Sequence, residues 1–133
     1  MSLSAAEVRQ QLSVLEEAAR ARSPGELGRV EQLTREFLHL GVTRSAEILD
    51  VAAGSGILSA KLQQAGYTSL DALDGDLPTL RSLQALRLYR NYIHSTVAGI
   101  LSTGTAPYYD FNLEICAQYN ETEIKGKYET VVL

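Results

Sequence analysis

The segment Ile48-Leu49-Asp50-Val51-Ala52-Ala53-Gly54-Ser55-Gly56 runs from an apolar, partly β-branched stretch straight into a loop of small residues. Ile48, Leu49 and Val51 have the character of a short strand buried on both faces. From Ala52 to Gly56 every side chain is Gly, Ala or Ser. The backbone can therefore turn sharply there, and another molecule can approach it closely. Ile57, Leu58, Lys61 and Leu62 follow at helical spacing, and Gly66 is placed to end that helix in a left-handed conformation. A strand, a small-residue loop and a helix N-terminus in succession present backbone N–H groups and a partial positive charge above the loop. A tight strand-to-helix turn of any α/β protein would read the same way, and Gly-x-Gly alone does not decide between the two. Two acids add weight to a cofactor loop. Asp50 stands near the end of the strand. Asp74 follows Gly54 at about the separation at which an acid at the end of the next strand meets ribose hydroxyls.

With Asp74-Gly75-Asp76 after it, the run from Ile48 to Gly56 resembles the first motif of the Rossmann-like methyltransferases that use S-adenosylmethionine. More narrowly, Ile48 to about Gly99 is similar to the methyltransferase-like proteins of the Williams-Beuren region, a likeness carried by Leu73-Asp74-Gly75-Asp76 and Leu88-Tyr89. The resemblance implies an S-adenosylmethionine cofactor and assigns parts to Asp50, Ala52, Gly54, Ser55, Gly56, Asp74, Gly75 and Asp76. Gly54 and Gly56 would shape the loop under the methionine portion. Asp50 would sit near the donor, Asp74 would take the ribose hydroxyls, and Asp76 would reach the adenosine or cap a helix. Ala52 departs from the pattern, standing where the family usually has its first glycine. The implied reaction is methyl transfer to a small-molecule or protein acceptor. In such a reaction the cofactor carries the activation, and the protein contributes proximity and alignment.

The expected fold class is α/β, a Rossmann-like three-layer parallel sheet forming part of a methyltransferase fold, preceded by two N-terminal helices. The chain reads as one partial methyltransferase domain over residues 1–133. It divides into a helical cap at 1–45, a cofactor-binding βαβαβ core at 46–100, and an insertion with a fourth strand at 101–133. Ser4-Ala5-Ala6-Glu7 is a capping box opening a helix with Val8, Leu12, Leu15 and Ala19 on one face, ending near Arg22. Ser23-Pro24-Gly25-Glu26 repeats that start signal, and Leu27, Val30, Phe37 and Leu38 follow at helical spacing until Gly41. These two helices would either pack over the cofactor mouth or simply cover the sheet. Further strands are expected at Glu47 to Val51, Tyr67 to Leu73 and Tyr92 to Val97. Helices are expected from Ile57 to Ala65 and after Asp76, the latter with Leu80, Leu83, Leu86 and Leu88 toward the sheet and Arg81, Arg87 and Arg90 outward. Ile100 to Pro107 reads as a loop. Phe111 to Tyr119 alternates like a half-buried strand. Tyr128 to Leu133 resembles the family's fourth strand, expected beside the first, with Phe111 to Tyr119 folding back to cover its outer edge. Otherwise the open edge would lead to self-association.

Composition narrows the function classes. A chain of 133 residues with 45% hydrophobic and 21% charged residues has the balance of a globular domain. A net charge of -4 argues against nucleic acid as the main partner, since that binding rests on Lys and Arg against phosphates. Cys116 is the single cysteine, so neither an internal disulfide nor a thiolate metal cluster can form, and no metal is expected. With neither a secretory leader nor an apolar spanning run, the expected location is cytoplasmic, extending to the nucleus, without membrane partners. His39 and His94 read as packing or surface residues.

Three readings stay open. The first is a methyltransferase, for which no catalytic residue is assigned because the loop after the fourth strand would lie beyond Leu133. Activity of the isolated chain is not expected. The second is a truncated or degenerate methyltransferase fold serving as a binding or interaction module. The third is a nicotinamide-binding Rossmann protein. Against that third reading, Ser59 replaces the third glycine of the dinucleotide fingerprint, and Asp50 stands where such folds have an apolar residue.

Overall fold

A computed structural model describes residues 3–51, 53–94, 105–110, 115–120 and 130–132. Two helices lead, α1 (Ala5–Arg22) and α2 (Glu26–His39). Then strands and helices alternate: β1 (Ile48–Val51), α3 (Ile57–Gln64), β2 (Leu70–Asp74), α4 (Leu77–Leu86) and β3 (Asn91–His94). Three strands complete the sheet, β4 (Thr105–Asp110), β5 (Ile115–Asn120) and β6 (Thr130–Val132). The α/β class with two leading helices is therefore the observed one.

The sheet order is β5-β4-β3-β2-β1-β6. β1 pairs in parallel with β2 and with β6, and β2 in parallel with β3. The chain thus steps outward from β1 to β3 and returns to the other side of β1 with β6. Such a reversal of strand order leaves a crevice beyond the carboxyl ends of the central strands. Ile48, Leu70, Ala72 and Tyr92 join the core formed with α1, α3 and α4. Leu49, Val51, Leu73 and Ile93 alternate to the opposite face and are buried as well. Burial on both faces is what a mostly apolar run such as Ile48 to Val51, interrupted by Asp50, requires of a parallel strand.

Each helix of the core owes its limits to identifiable residues. α1 starts on a complete capping box: the Ser4 hydroxyl accepts the Glu7 N–H at 3.1 Å, and the Glu7 carboxylate accepts the Ser4 N–H at 3.0 Å. Its buried stripe is Val8, Leu12, Leu15 and Ala19, as the spacing predicts. α3 ends in a full Schellman motif, with Tyr67 N–H on the Leu62 carbonyl at 3.1 Å and Gly66 N–H on that of Gln63 at 3.0 Å. Gly66 takes φ +107 there. Tyr67 is drawn out of the predicted second strand by this cap and by its own contacts. Its hydroxyl donates to the Val42 carbonyl at 2.6 Å and accepts from Arg44 Nη1 at 2.8 Å, while its ring meets Phe37 edge-on at 5.2 Å.

Several expectations are corrected. The second capping box does not form: α2 begins at Glu26 with Gly25 as a cap lacking a side-chain bond, and Pro24 stays in the preceding turn. Glu26 instead pairs with Arg22, one turn back, at 2.7 Å. Thr105 to Pro107, expected in a loop, belong to β4, because pairing with β5 overrides a turn-forming composition. Tyr108 and Tyr109 carry the register with β3, and Pro107 lies just outside it. Nor does the alternating segment cover β6. Its residues 115–119 pair antiparallel with β4, which itself pairs antiparallel with β3, so the hairpin extends the opposite end of the sheet. Strands close in sequence pair readily as hairpins, which favours this arrangement over a return across the sheet. Arg90 is exposed as expected, and from there it also engages two acids, Asp71 and Glu47. Ala52, the far end of the predicted third strand at 95–97, Phe111 to Glu114 and the approach to β6 lie outside the described residues.

Candidate functional site at the glycine loop

β1 delivers the chain to the sheet's carboxyl edge, and the loop that follows is shaped by two glycines with positive φ, Gly54 at +57 and Gly56 at +82. Gly56 is the N-cap of α3 and carries no side-chain cap. Its Cα lies close on its neighbours: a Cβ added there would come within 2.9 Å of Leu83 Cδ2 and 3.5 Å of the Tyr89 hydroxyl. Glycine is therefore required twice over, by backbone conformation and by space. Inside the loop Gly56 N–H donates to the Ala53 carbonyl at 3.0 Å, and Ala53 N–H to the Leu73 carbonyl of β2, also at 3.0 Å.

Asp74 ends β2 directly beside this loop. Its Oδ2 accepts the Gly54 N–H at 3.0 Å and its Oδ1 accepts the Asp76 N–H at 2.9 Å. One carboxylate thus fixes the β1–α3 loop and the β2–α4 turn relative to each other. Asp76 caps α4 through Oδ2, which accepts from the Thr79 N–H at 3.1 Å and the Thr79 hydroxyl at 2.6 Å. Gly75 is exposed, and its carbonyl meets His94 Nε2 at 3.2 Å. Gly54, Gly75 and Asp76 are exposed and Ser55 is half-buried, so these four residues with Asp74 form one accessible patch at the carboxyl ends of β1 and β2. Of the sequence-predicted set, Gly54, Ser55, Gly56, Asp74, Gly75 and Asp76 are brought together.

Asp50 belongs to the same region but faces the other way. It is 3% exposed, and its Oδ2 accepts from the Ser59 hydroxyl of α3 at 2.8 Å and the Tyr89 hydroxyl at 2.7 Å. Burial pushes its carboxyl up to about 6; the two hydroxyl donors oppose that rise, and the nearby Asp74 charge adds to it. Tyr89 is pushed well above the ordinary tyrosine value by burial and by the Asp50 charge, so it stays a donor. The buried Asp50–Ser59–Tyr89 cluster forms the floor of the glycine loop.

Sequence reasoning did not find that floor. Ser59 read as a failed third glycine, and Tyr89 only as part of a family likeness. The available signal was a polar residue on the inward face of α3 opposite an acid in an apolar strand, since a buried carboxylate needs hydrogen-bond donors. Asp71 was missed in the same way. It is fully buried in β2 and takes Arg90 in a two-point contact at 3.2 and 3.1 Å, with Asn91 Nδ2 at 3.1 Å.

Away from the loop, a hollow of 450 Å³ lies against the C-terminal end of α3, lined by Thr34, Leu38, Lys61 and Gln64 among others. Among the described residues no cluster of His, Cys, Asp and Glu could hold a metal ion, and no helix is long and apolar enough to cross a membrane. No family model matches the chain, and neither a curated protein nor a solved structure matches it.

Proposed function

We propose that the chain binds S-adenosylmethionine at the glycine loop, as the cofactor-holding part of a methyltransferase acting on a small-molecule or protein acceptor. The observation that carries this reading is the pairing of a loop with two positive-φ glycines after β1 with an acid, Asp74, at the end of β2. Backbone there comes close to the surface without side chains in the way, which suits the methionine portion of the cofactor. Asp74 fits the ribose assignment because a carboxylate offers about four acceptor sites, and among the described residues two N–H groups occupy them. Asp76 is engaged in capping α4, so its contribution to adenosine is secondary to that role. The order of the parallel strands, with the reversal beside β1, supports the same location.

When bound, the cofactor would supply the activated methyl group, and the chain's own contribution would be to hold it in place. Calorimetric titration with S-adenosylmethionine and, separately, with NAD tests the reading. Saturable binding of the first and none of the second supports it. Binding of NAD alone would favour the dinucleotide alternative. Binding of neither would leave the interaction-module reading.

A further inference from the structure

The buried cluster beneath the loop joins three of the segments around it. Asp50 comes from β1, Ser59 from the first turn of α3, and Tyr89 from the segment between α4 and β3. The Tyr89 hydroxyl also lies beside Gly56, 3.5 Å from the position a Cβ there would take, with Leu83 Cδ2 nearer at 2.9 Å. Two hydrogen bonds therefore run from Tyr89, which lies beside Gly56, to Asp50 and from there to α3 through Ser59. We propose that Asp50, with Tyr89 and Ser59, is the positioning group of the glycine loop and couples the loop's ligand affinity to pH. The ligand half of this inference rests on the cofactor reading above, and the positioning half does not.

The coupling follows from hydrogen-bond strength. Both hydroxyls donate to the same oxygen, Oδ2, and bonds to an ionised carboxylate are roughly twice as strong as those between neutral groups. Once Asp50 takes a proton, the bonds weaken, and a proton placed on Oδ2 displaces one donor. Tyr89 and the start of α3 are then held less firmly, and Gly56 with them. The carboxylate is the form that holds the loop in its ligand-ready shape.

The groups facing Asp50 are few. Ser59 faces it from α3 and Tyr89 from beyond α4, while Asp74 of β2 acts on it as a like charge. Tyr92 of β3 acts on Tyr89. The neighbouring strand β6 has no titratable residue, being Thr130-Val131-Val132. Among the described residues Asp50 has no ion pair. Close by, His94 Nε2 lies 3.2 Å from the Gly75 carbonyl.

The test follows the Gly54 and Gly56 backbone amides by NMR in the ligand-free chain from about pH 5 to about pH 8, alongside calorimetry with S-adenosylmethionine and S-adenosylhomocysteine. The amides should titrate with a midpoint near 6, and the titration should vanish in Asp50→Asn while persisting in His94→Gln. Tyr89→Phe removes one donor to the carboxylate and should raise the midpoint, a second variant that keeps the proposal testable where Asp50→Asn fails to fold. Affinity for both ligands should fall roughly tenfold between pH 7 and pH 5, as the competent fraction falls. Amides that do not move, or that move equally in Asp50→Asn, would overturn the proposal. So would a pH dependence confined to the charged S-adenosylmethionine, which would indicate direct attraction to its sulfonium. If neither ligand binds at any pH, the cofactor reading fails, and the amide titration alone still decides the positioning role.

Discussion

Asp74 Oδ2 accepts the Gly54 N–H at 3.0 Å across twenty residues of sequence, so the acid that ends one strand holds the loop that leaves its neighbour. The same carboxylate holds the Asp76 N–H on its other oxygen at 2.9 Å. Asp74→Ala leaves both donors without this acceptor. Because the site is partly exposed, water replaces part of the loss, and the expected cost in stability is about 1 kcal/mol. The expected loss in S-adenosylmethionine affinity is larger, about 1 to 3 kcal/mol, because the ribose acceptor is removed along with the clip. Thermal melts and calorimetry on the same variant separate the two effects. Unchanged affinity would remove Asp74 from the site.

Gly56→Ala should be harmful for two reasons that add. An alanine at φ +82 occupies a region that L residues rarely adopt, and its Cβ would meet Leu83 Cδ2 at 2.9 Å. The Leu83 side chain is 1% exposed and has little room to yield. Together these predict a loss of about 2 to 4 kcal/mol in unfolding free energy by urea titration. Gly28→Ala, within α2 with nothing within 4 Å of the new Cβ, should instead stabilise slightly.

The parallel core was legible because each of its elements has a local cause. Ser4 and Glu7 form the first cap, Gly66 the end of α3, and Asp76 the start of α4, and all three signals lie within a few residues of the boundary they set. The run Ile48 to Val51 is apolar enough to need burial on both faces, which implies a parallel sheet. What was not legible depends on partners distant in sequence. Nothing near Pro107 says that it will pair with Gln118, and nothing near Asp50 says that a tyrosine 39 residues later will donate to it. Glu26 had two local options, and the salt bridge to Arg22 prevailed over the capping box. The loop residues of the candidate site were legible for the same reason as the helix starts. The floor beneath them was not.

Asp50 also gives the fold a pH dependence of its own. Its proton is held more tightly in the folded chain, at about 6, than at the ordinary value of 3.8. The native state therefore binds more protons between those values, and this residue's contribution is greatest below 3.8 and falls as pH rises through about 6. The loss is about 3 kcal/mol across that window. Urea unfolding of the wild type and Asp50→Asn at several pH values should show their difference shifting toward the variant as pH rises from about 4 to about 7. A difference independent of pH would mean that Asp50 titrates alike in both states.

Arg90 is the counter-charge that makes a buried acid tolerable. Asp71 sits in β2 with its side chain fully buried, while Arg90 is 37% exposed and reaches it with both Nε and Nη2. The backbone of Arg90 is tied to the same strand, its N–H donating to the Leu70 carbonyl at 2.8 Å, so the side chain is held in position before it pairs. Glu47, 40% exposed, takes the remaining Nη1 at 3.1 Å, and screening by solvent leaves that contact worth little. Removing the arginine takes the counter-charge from a buried carboxylate to which Asn91 Nδ2 still donates, and Arg90→Met should cost about 3 to 5 kcal/mol. Removing both charges, as in Arg90→Met with Asp71→Leu, should recover much of that loss, because an apolar pair of similar volume avoids the desolvation that the ion pair must overcome. Glu47→Gln should change stability by less than about 1 kcal/mol. Urea titrations of these variants, with Asp71→Leu alone as the second single variant, complete a double-mutant cycle for the pair. If Arg90→Met proves as mild as Glu47→Gln, Asp71 draws its compensation from Asn91 Nδ2 at 3.1 Å and not from Arg90.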